Sequence, residues 1–126
     1  MGHASNKFGI TNEIRAILLE NPVVSAVVGD KIFPLVAPKD TTGDFIIYQR
    51  DEYSIDRAKM GMVTQKCRVY INAVSEDYDR GQQLAAAIFE ALEGDFTEPD
   101  MRIRLEDSTE DYEAGKYIQI LLFSIE

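Results

Sequence analysis

The sequence predicts an α+β fold, with a mainly antiparallel sheet of four to five strands and two main helices packed on one face of that sheet. Three observations support this prediction. Apolar residues recur at helical spacing near the amino terminus and again after residue 75. Residues 62–74 alternate apolar with polar side chains, as a half-buried strand does. Two further alternating segments, separated by a turn, follow near the carboxyl terminus.

The 126 residues, of which 45% are hydrophobic, suffice for one domain with its own core. We expect this domain to occupy residues 8–126, and residues 1–7 to form a flexible leader. The leader contains the single histidine, His3, and lacks the apolar stretch of a secretory signal. No run approaches the roughly 18 apolar residues of a membrane span. We therefore expect a cytosolic protein that has no membrane partner.

The first helix is predicted from about Thr11 to Glu20, with Thr11 or Asn12 as its cap. Its apolar positions are Ile10, Ile14, Ile17 and Leu18. Pro22 should end this helix, because the residue before a proline is pushed out of the helical region. Asn21 can then cap a short helical piece from Pro22 to Val28, which Gly29 closes.

A short strand is expected at Ile32 and Phe33, after a turn at Asp30 and Lys31. Pro34 and Pro38 bracket a segment that cannot be a central strand, because proline donates no ladder hydrogen bond. The chain should then re-enter the sheet at Asp44.

The clearest strand runs from Met62 to Val74. One of its faces carries apolar side chains, those of Val63, Cys67, Val69, Ile71 and Ala73. Cys67 is therefore predicted to be a core residue. The alternative, a nucleophilic thiol, needs a histidine partner, and the chain offers only His3.

Ser75 is predicted to cap a second main helix that begins at Glu76 and stops at Gly94. A hairpin should follow, with a turn near residues 113–116. Its last strand, Tyr117 to Ile125, is apolar on both faces, so it is either central or in contact with another molecule. We expect the sheet face opposite the helices to carry Tyr48 and Tyr70 and to remain available for contacts.

No chemical motif stands out in the sequence. The acidic pairs have no calcium or magnesium loop spacing, and the isolated glycines form no phosphate-binding loop. We therefore predict no catalytic residues, no metal and no cofactor. The net charge of −9 argues against a surface that grips nucleic acid through its phosphates.

Two blocks carry a resemblance to a known family: Val27 to Pro38 followed by Asp44 to Arg50, and the strand Cys67 to Val74 that leads into the next helix. In these blocks, and roughly over residues 8–126, the chain resembles the phage tail-completion proteins, also called tail-to-head joining or tail-terminator proteins, of long-tailed bacteriophages. The resemblance implies a structural phage or prophage protein, not an enzyme.

The resemblance further implies that the protein forms a ring. Rings of this family typically have six copies. The ring would cap the head-proximal end of the tail tube and join the tail to the head connector. The partners would be further copies, the tail tube protein and the head connector protein. DNA would pass through without specific binding, since an acidic lining repels it. The protein would act in the virion tail after assembly in the bacterial cytoplasm.

Basic residues are grouped on this acidic chain, and two methionines lie among them. They are either the polar faces of amphipathic strands or charges that meet acidic patches of a neighbouring copy. We predict an interface formed by Arg57, Lys59, Met60, Met62, Arg68, Tyr70, Arg102 and Arg104.

The alternative function is a small acidic ligand-binding domain or an enzyme of unknown substrate. The missing histidine, metal spacing and phosphate loop argue against it.

Overall fold

The protein is described here from a computed structural model, which covers residues 8–57, 63–97 and 100–126. Its elements in chain order are α1 (Ile10–Glu20), α2 (Pro22–Val28), β1 (Ile32–Pro34), β2 (Phe45–Arg57), β3 (Val63–Ser75), α3 (Tyr78–Leu92), β4 (Gly94–Thr97), β5 (Asp100–Glu113) and β6 (Lys116–Ile125). The strands form one sheet in the order β1-β2-β3-β6-β5-β4.

The α+β class is confirmed, but the sheet differs in detail from the prediction. It is mixed and has six strands in the described residues, because β1 runs parallel to β2 whereas the other pairs are antiparallel. The loop of residues 35–44 brings the chain back so that β2 starts beside β1 in the same direction. β4 was not predicted, because four residues that pair only with the first part of β5 are too few to show a period.

The structure has three helices in the described residues, not two main ones. α1 begins at Ile10, and neither Thr11 nor Asn12 caps it; Gly9 is the N-cap and gives no side-chain hydrogen bond. The predictions for α2 are confirmed. The Asn21 Oδ1 accepts hydrogen bonds from the amides of Val23 and Val24, each at 3.0 Å, and Gly29 closes the helix with a φ of 64°.

The predicted start and stop of α3 are wrong. β3 continues through Ser75, and the N-cap is Asp77, whose Oδ2 accepts a hydrogen bond from the amide of Arg80 at 2.8 Å. The Ser75 hydroxyl instead accepts from the amide of Asp77 at 3.1 Å, so it supports the turn before the helix. The helix ends at Leu92, and Gly94 already belongs to β4.

All three helices pack on one face of the sheet, which is the arrangement that was predicted for the two main ones. The inward residues of β3 from Cys67 to Ala73 are fully buried there, which confirms the predicted alternation. The core comprises Ile14, Leu18, Val24, Ile46, Cys67, Val69, Ile71, Leu84, Ile88, Leu92, Ile103, Phe123 and Ile125, among others. Tyr48 was expected on the opposite face and is corrected: it pairs with Ile71, shares the helix-covered face and is buried.

An ion pair fastens the start of β2 to α3. The Arg80 guanidinium donates to Asp44 through Nε to Oδ2 at 2.6 Å and through Nη2 to Oδ1 at 3.1 Å. The Asp44 side chain is 3% exposed, whereas that of Arg80 is 47% exposed. A buried carboxylate therefore depends on an arginine that also reaches solvent.

Burial of Cys67 leads to a first testable prediction. Its thiol is 0% exposed, so a thiol reagent should react with the native protein far more slowly than with the protein unfolded in denaturant. Time courses with a chromogenic disulfide reagent in both conditions check this. Equal rates would contradict the position of Cys67 in the core.

Candidate assembly surface

The sheet face turned away from the helices, called the open face below, has an apolar centre. On β6, alternation places Phe123 under the helices and turns Ile120 and Leu122 to the open face. Leu122 lies between Tyr70 of β3 and Asp107 of β5 in the sheet register. A groove of about 450 Å³ opens here, lined by Tyr70, Asn72, Asp107, Thr109, Ile120 and Leu122. We call it the open-face groove.

The groove also has polar character. The Oδ1 of Asn72 is buried and accepts no hydrogen bond from the described residues. A buried acceptor without a donor costs about 1–3 kcal/mol. The groove lining therefore combines aliphatic side chains with an amide whose oxygen is enclosed.

Two β-bulges assemble the charged cluster beside the groove. The first lies between Arg50 and Glu52, and it brings Glu52 opposite Arg68 on the open face. The second lies between Leu105 and Asp107 and leaves Glu106 as the extra residue of β5. In consequence two carboxylates converge on the one guanidinium of β3, one from the adjacent strand β2 and one from β5, which lies beyond β6.

Arg68 is held by both carboxylates. Its Nε lies 3.1 Å from Glu106 Oε1, but the N–H bond is not aligned for a hydrogen bond, so the contact is ionic. Its Nη1 lies 3.5 Å from Glu52 Oε1. Burial acts to lower the pKa of Arg68, but the carboxylates of Glu106, Asp51 and Glu52 raise it overall. Lys66 joins the cluster, with its Nζ 3.5 Å from Glu106 Oε2.

A second charged cluster lies near the far edge of the sheet, where β4 pairs with β5. Arg104 donates through Nη2 to Asp95 Oδ1 at 2.9 Å, and Arg102 Nε lies 3.5 Å from the same oxygen. The side chains of Arg102 and Asp95 are 63% and 65% exposed, so their pair is screened by water and contributes little to stability.

On the helix-covered face, a tyrosine and carboxylate cluster joins the start of α3 to β5. The hydroxyl of Tyr78 and the Nε2 of Gln119 each donate to Glu110 Oε2 at 2.7 Å. The hydrogen bonds from Gln119 and Tyr78 lower the pKa of Glu110, and the bond to Glu110 raises the pKa of Tyr78. This cluster fixes one end of α3.

The predicted contact residues fall into two groups. Arg68, Tyr70, Arg102 and Arg104 all belong to the open face, but the two charged clusters are separate and each arginine already has a carboxylate partner. Arg57 ends β2, and its side chain lies outside the described part of the chain, as do Lys59, Met60 and Met62. The sequence did not reveal Glu52 and Glu106 as partners, because bulges shift which residues share a face.

The described residues contain no group of three or more histidine, cysteine, aspartate or glutamate side chains that could hold a metal ion. None of their helices is long and apolar enough to cross a membrane.

Comparisons with known proteins agree with one another. A family model described as "Tail completion protein gp17" matches residues 12–123. A chain from a solved structure, "Virion of native gene transfer agent (GTA) particle", matches with a TM-score of 0.75 and 16% sequence identity, and covers 89% of both chains. At that identity the match shows a shared fold. No curated protein sequence matches this chain.

Proposed function

The chain belongs to the tail completion protein gp17 family and is a structural protein of a phage-like tail, and from this premise we propose that it closes the head-proximal end of the tail tube as a ring. In this role six copies surround the tube exit, stop further growth of the tube and present the surface to which the head connector binds. The protein acts by binding alone.

The observation that supports this role best is the apolar centre of the open face. In the described residues the helices cover one side of the sheet, yet β6 carries aliphatic residues on both sides. Apolar patches rimmed by charge are typical of protein interfaces. A ring of identical copies needs contacts between two unlike surfaces that fit each other, and such contacts close into a ring when the rotation between copies permits.

The long β2–β3 hairpin supports the same role. The last pairing of β6 with β3 is at Cys67, whereas β2 and β3 remain paired as far as Arg57 and Val63. The hairpin therefore extends beyond the end of β6 as two strands. We propose that Arg57, Lys59, Met60 and Met62 at its end contact a neighbouring copy or the tube, together with Arg68, Tyr70, Arg102 and Arg104 of the open face.

The ion pairs of the open-face arginines are compatible with this proposal. Surface salt bridges contribute about 0–1 kcal/mol, so an arginine can exchange a carboxylate of its own chain for one of a neighbour at low cost. The acidic excess of each copy also suits a ring through which DNA passes, since repulsion prevents adhesion.

The decisive experiment measures assembly directly. The protein is mixed with tail tubes assembled from the tube protein of the same genome, and mass by light scattering and negative-stain images are recorded with and without tubes. We expect rings at high concentration or at tube ends, and weaker assembly as salt screens the charges. The double variant Arg57→Glu with Lys59→Glu should lose rings while it stays folded.

The control for added negative charge away from the interface is Gln83→Glu on the exposed side of α3, which should assemble like the wild type. If the wild-type protein remains monomeric and does not bind tubes under any condition, the proposed ring is wrong. Tight binding to duplex DNA at physiological salt would also contradict the proposed role.

A further inference from the structure

The turn after β1 projects two apolar side chains into solvent. The amide of Val36 donates to the carbonyl of Pro34 at 2.7 Å, and the amide of Leu35 donates to the carbonyl of Tyr48 at 2.9 Å. Leu35 lies at the centre of this three-residue turn with a φ of 66°, a strained conformation for a leucine. Its side chain is 62% exposed and that of Val36 is 73% exposed. We call this pair the Leu35–Val36 knob.

The knob is held at a defined place on the sheet. The hydrogen bond to Tyr48 fixes the turn to the edge of β2, and prolines stand before and after it at positions 34 and 38. Strain that persists in a turn fixed at both ends suggests a functional reason for exposing the leucine. An apolar pair held in this way, with little freedom to lose on binding, is suited to insertion into a partner.

The open-face groove lies at the same level of the sheet as the knob. Leu35 follows the pair Pro34 and Tyr48, so its level is that of Gln49, which pairs with Tyr70. Tyr70 in turn pairs with Leu122, and Leu122 with Asp107. These last three residues line the groove. If two copies lie side by side, the knob of one copy therefore reaches the groove of the other without any shift of one copy along the strand direction.

Knob and groove also lie toward opposite edges of the sheet. β1 forms one edge, whereas the groove spans β3, β6 and β5 on the side of the other edge. A contact between unlike surfaces at opposite edges is heterologous, and repetition of it generates a ring or a filament. Such a contact is the kind that the proposed function requires.

Charge favours the same arrangement. Arg50 lies beside the knob, because Leu35 and Arg50 line the same shallow cleft of about 320 Å³. The guanidinium of Arg50 is 5.0 Å from the centre of the Phe8 ring. Asp107 stands at the rim of the open-face groove and is exposed. A neighbouring copy would place a cation next to this carboxylate, which fixes the register of the contact.

From these observations, and resting on the proposed ring, we infer that Leu35 and Val36 of one copy insert into the open-face groove of the next. The aliphatic side chains would cover Ile120, which is partly exposed, and would lie above Leu122, which is already only 5% exposed in a single copy. The partner of the groove is thus a second copy of this chain.

The first test removes the apolar character of the knob. The double variant Leu35→Asp with Val36→Asp should fold, because both side chains are exposed and aspartate tolerates a positive φ better than leucine does. It should need a protein concentration at least about tenfold higher for assembly. The matched control is Val23→Asp on α2, at 59% exposure, which should assemble like the wild type. Melting curves confirm folding of each variant.

The second test identifies the contact itself. Val36→Cys and Ile120→Cys are made in separate chains, and the buried Cys67 remains in place. Oxidation of their mixture should give a disulfide-linked dimer, whereas neither variant alone should cross-link, because the contact joins unlike positions. Val23→Cys mixed with Ile120→Cys is the negative control.

Two outcomes separate this inference from the proposed function. If the wild type forms rings, but the knob variant assembles equally well and the mixture does not cross-link, the inference is wrong and the ring stands. If the wild type does not self-associate even at tube ends, the ring and the inference fall together.

Discussion

Replacing Arg80 with methionine is expected to lower the free energy of unfolding by about 2–4 kcal/mol, because it leaves the buried carboxylate of Asp44 without its cation. Breaking a fully buried ion pair costs about 3–5 kcal/mol, and the half-exposed position of Arg80 reduces this value, since water can partly replace the guanidinium. Urea denaturation at pH 7 measures the effect.

The reverse change should cost less. In Asp44→Asn the arginine that remains can turn to solvent, and the amide oxygen can still accept hydrogen bonds, so we expect a loss of about 1–2 kcal/mol. Arg102→Met is the matched control, because its exposed pair with Asp95 should contribute no more than about 0.5 kcal/mol. Equal losses at positions 80 and 102 would contradict the structural role of the Asp44 pair.

The same pair predicts a pH dependence. Burial acts to raise the pKa of Asp44, but hydrogen bonds from Arg80 and Ser75, the charge of Arg80 and the amide of Glu76 lower it below its ordinary value of 3.8. A carboxylate whose pKa is lower in the folded state stabilises the fold above the unfolded-state pKa, and this stabilisation is lost as pH falls through the folded-state pKa. The stability difference between the wild type and Asp44→Asn should therefore persist at pH 7 and shrink below about pH 4.

Long periodic segments were predictable from the sequence, whereas of the three helix caps only Asn21 was. The alternation around Cys67 and the cap at Asn21 depend on nearby residues alone, and the structure confirms both. Ser75 and Asp77 are both good caps, so local chemistry leaves the start of α3 open. The pairing of Ser75 with Tyr117 decides it, since β6 extends β3 to that residue.

The candidate surface was also predicted only in part, because it depends on pairing between strands that are distant in sequence. Arg68 and Tyr70 could be placed on the open face because β3 has no bulge along its pairing with β6. The convergence of Glu52 and Glu106 on Arg68 depends on bulges in β2 and β5, which no sequence period reveals. The exposed knob could not be predicted either, because leucine rarely adopts a positive φ, so nothing in the sequence indicates a turn centred on Leu35.

The two faces of β6 allow the stability of the fold and its assembly to be separated by neighbouring substitutions. Phe123 is 1% exposed and pairs with Val69 and Leu105 on the covered side of the sheet. Phe123→Ala should therefore cost about 3–5 kcal/mol through lost burial and the cavity that remains. Domains of this kind are stable by about 5–15 kcal/mol, so this variant should be largely unfolded at elevated temperature.

Three residues earlier, Ile120 faces the open-face groove and is only partly buried. Ile120→Ala should cost about 1–2 kcal/mol, less than the loss for a fully buried isoleucine, because water already reaches the side chain and no closed cavity forms. Assembly of the Ile120→Ala variant, in contrast, should weaken, because the open-face groove loses part of its apolar lining. Thermal denaturation and light scattering on both variants separate the two effects. If Ile120→Ala unfolds as readily as Phe123→Ala, the open face belongs to the core of the monomer and is not available to a partner.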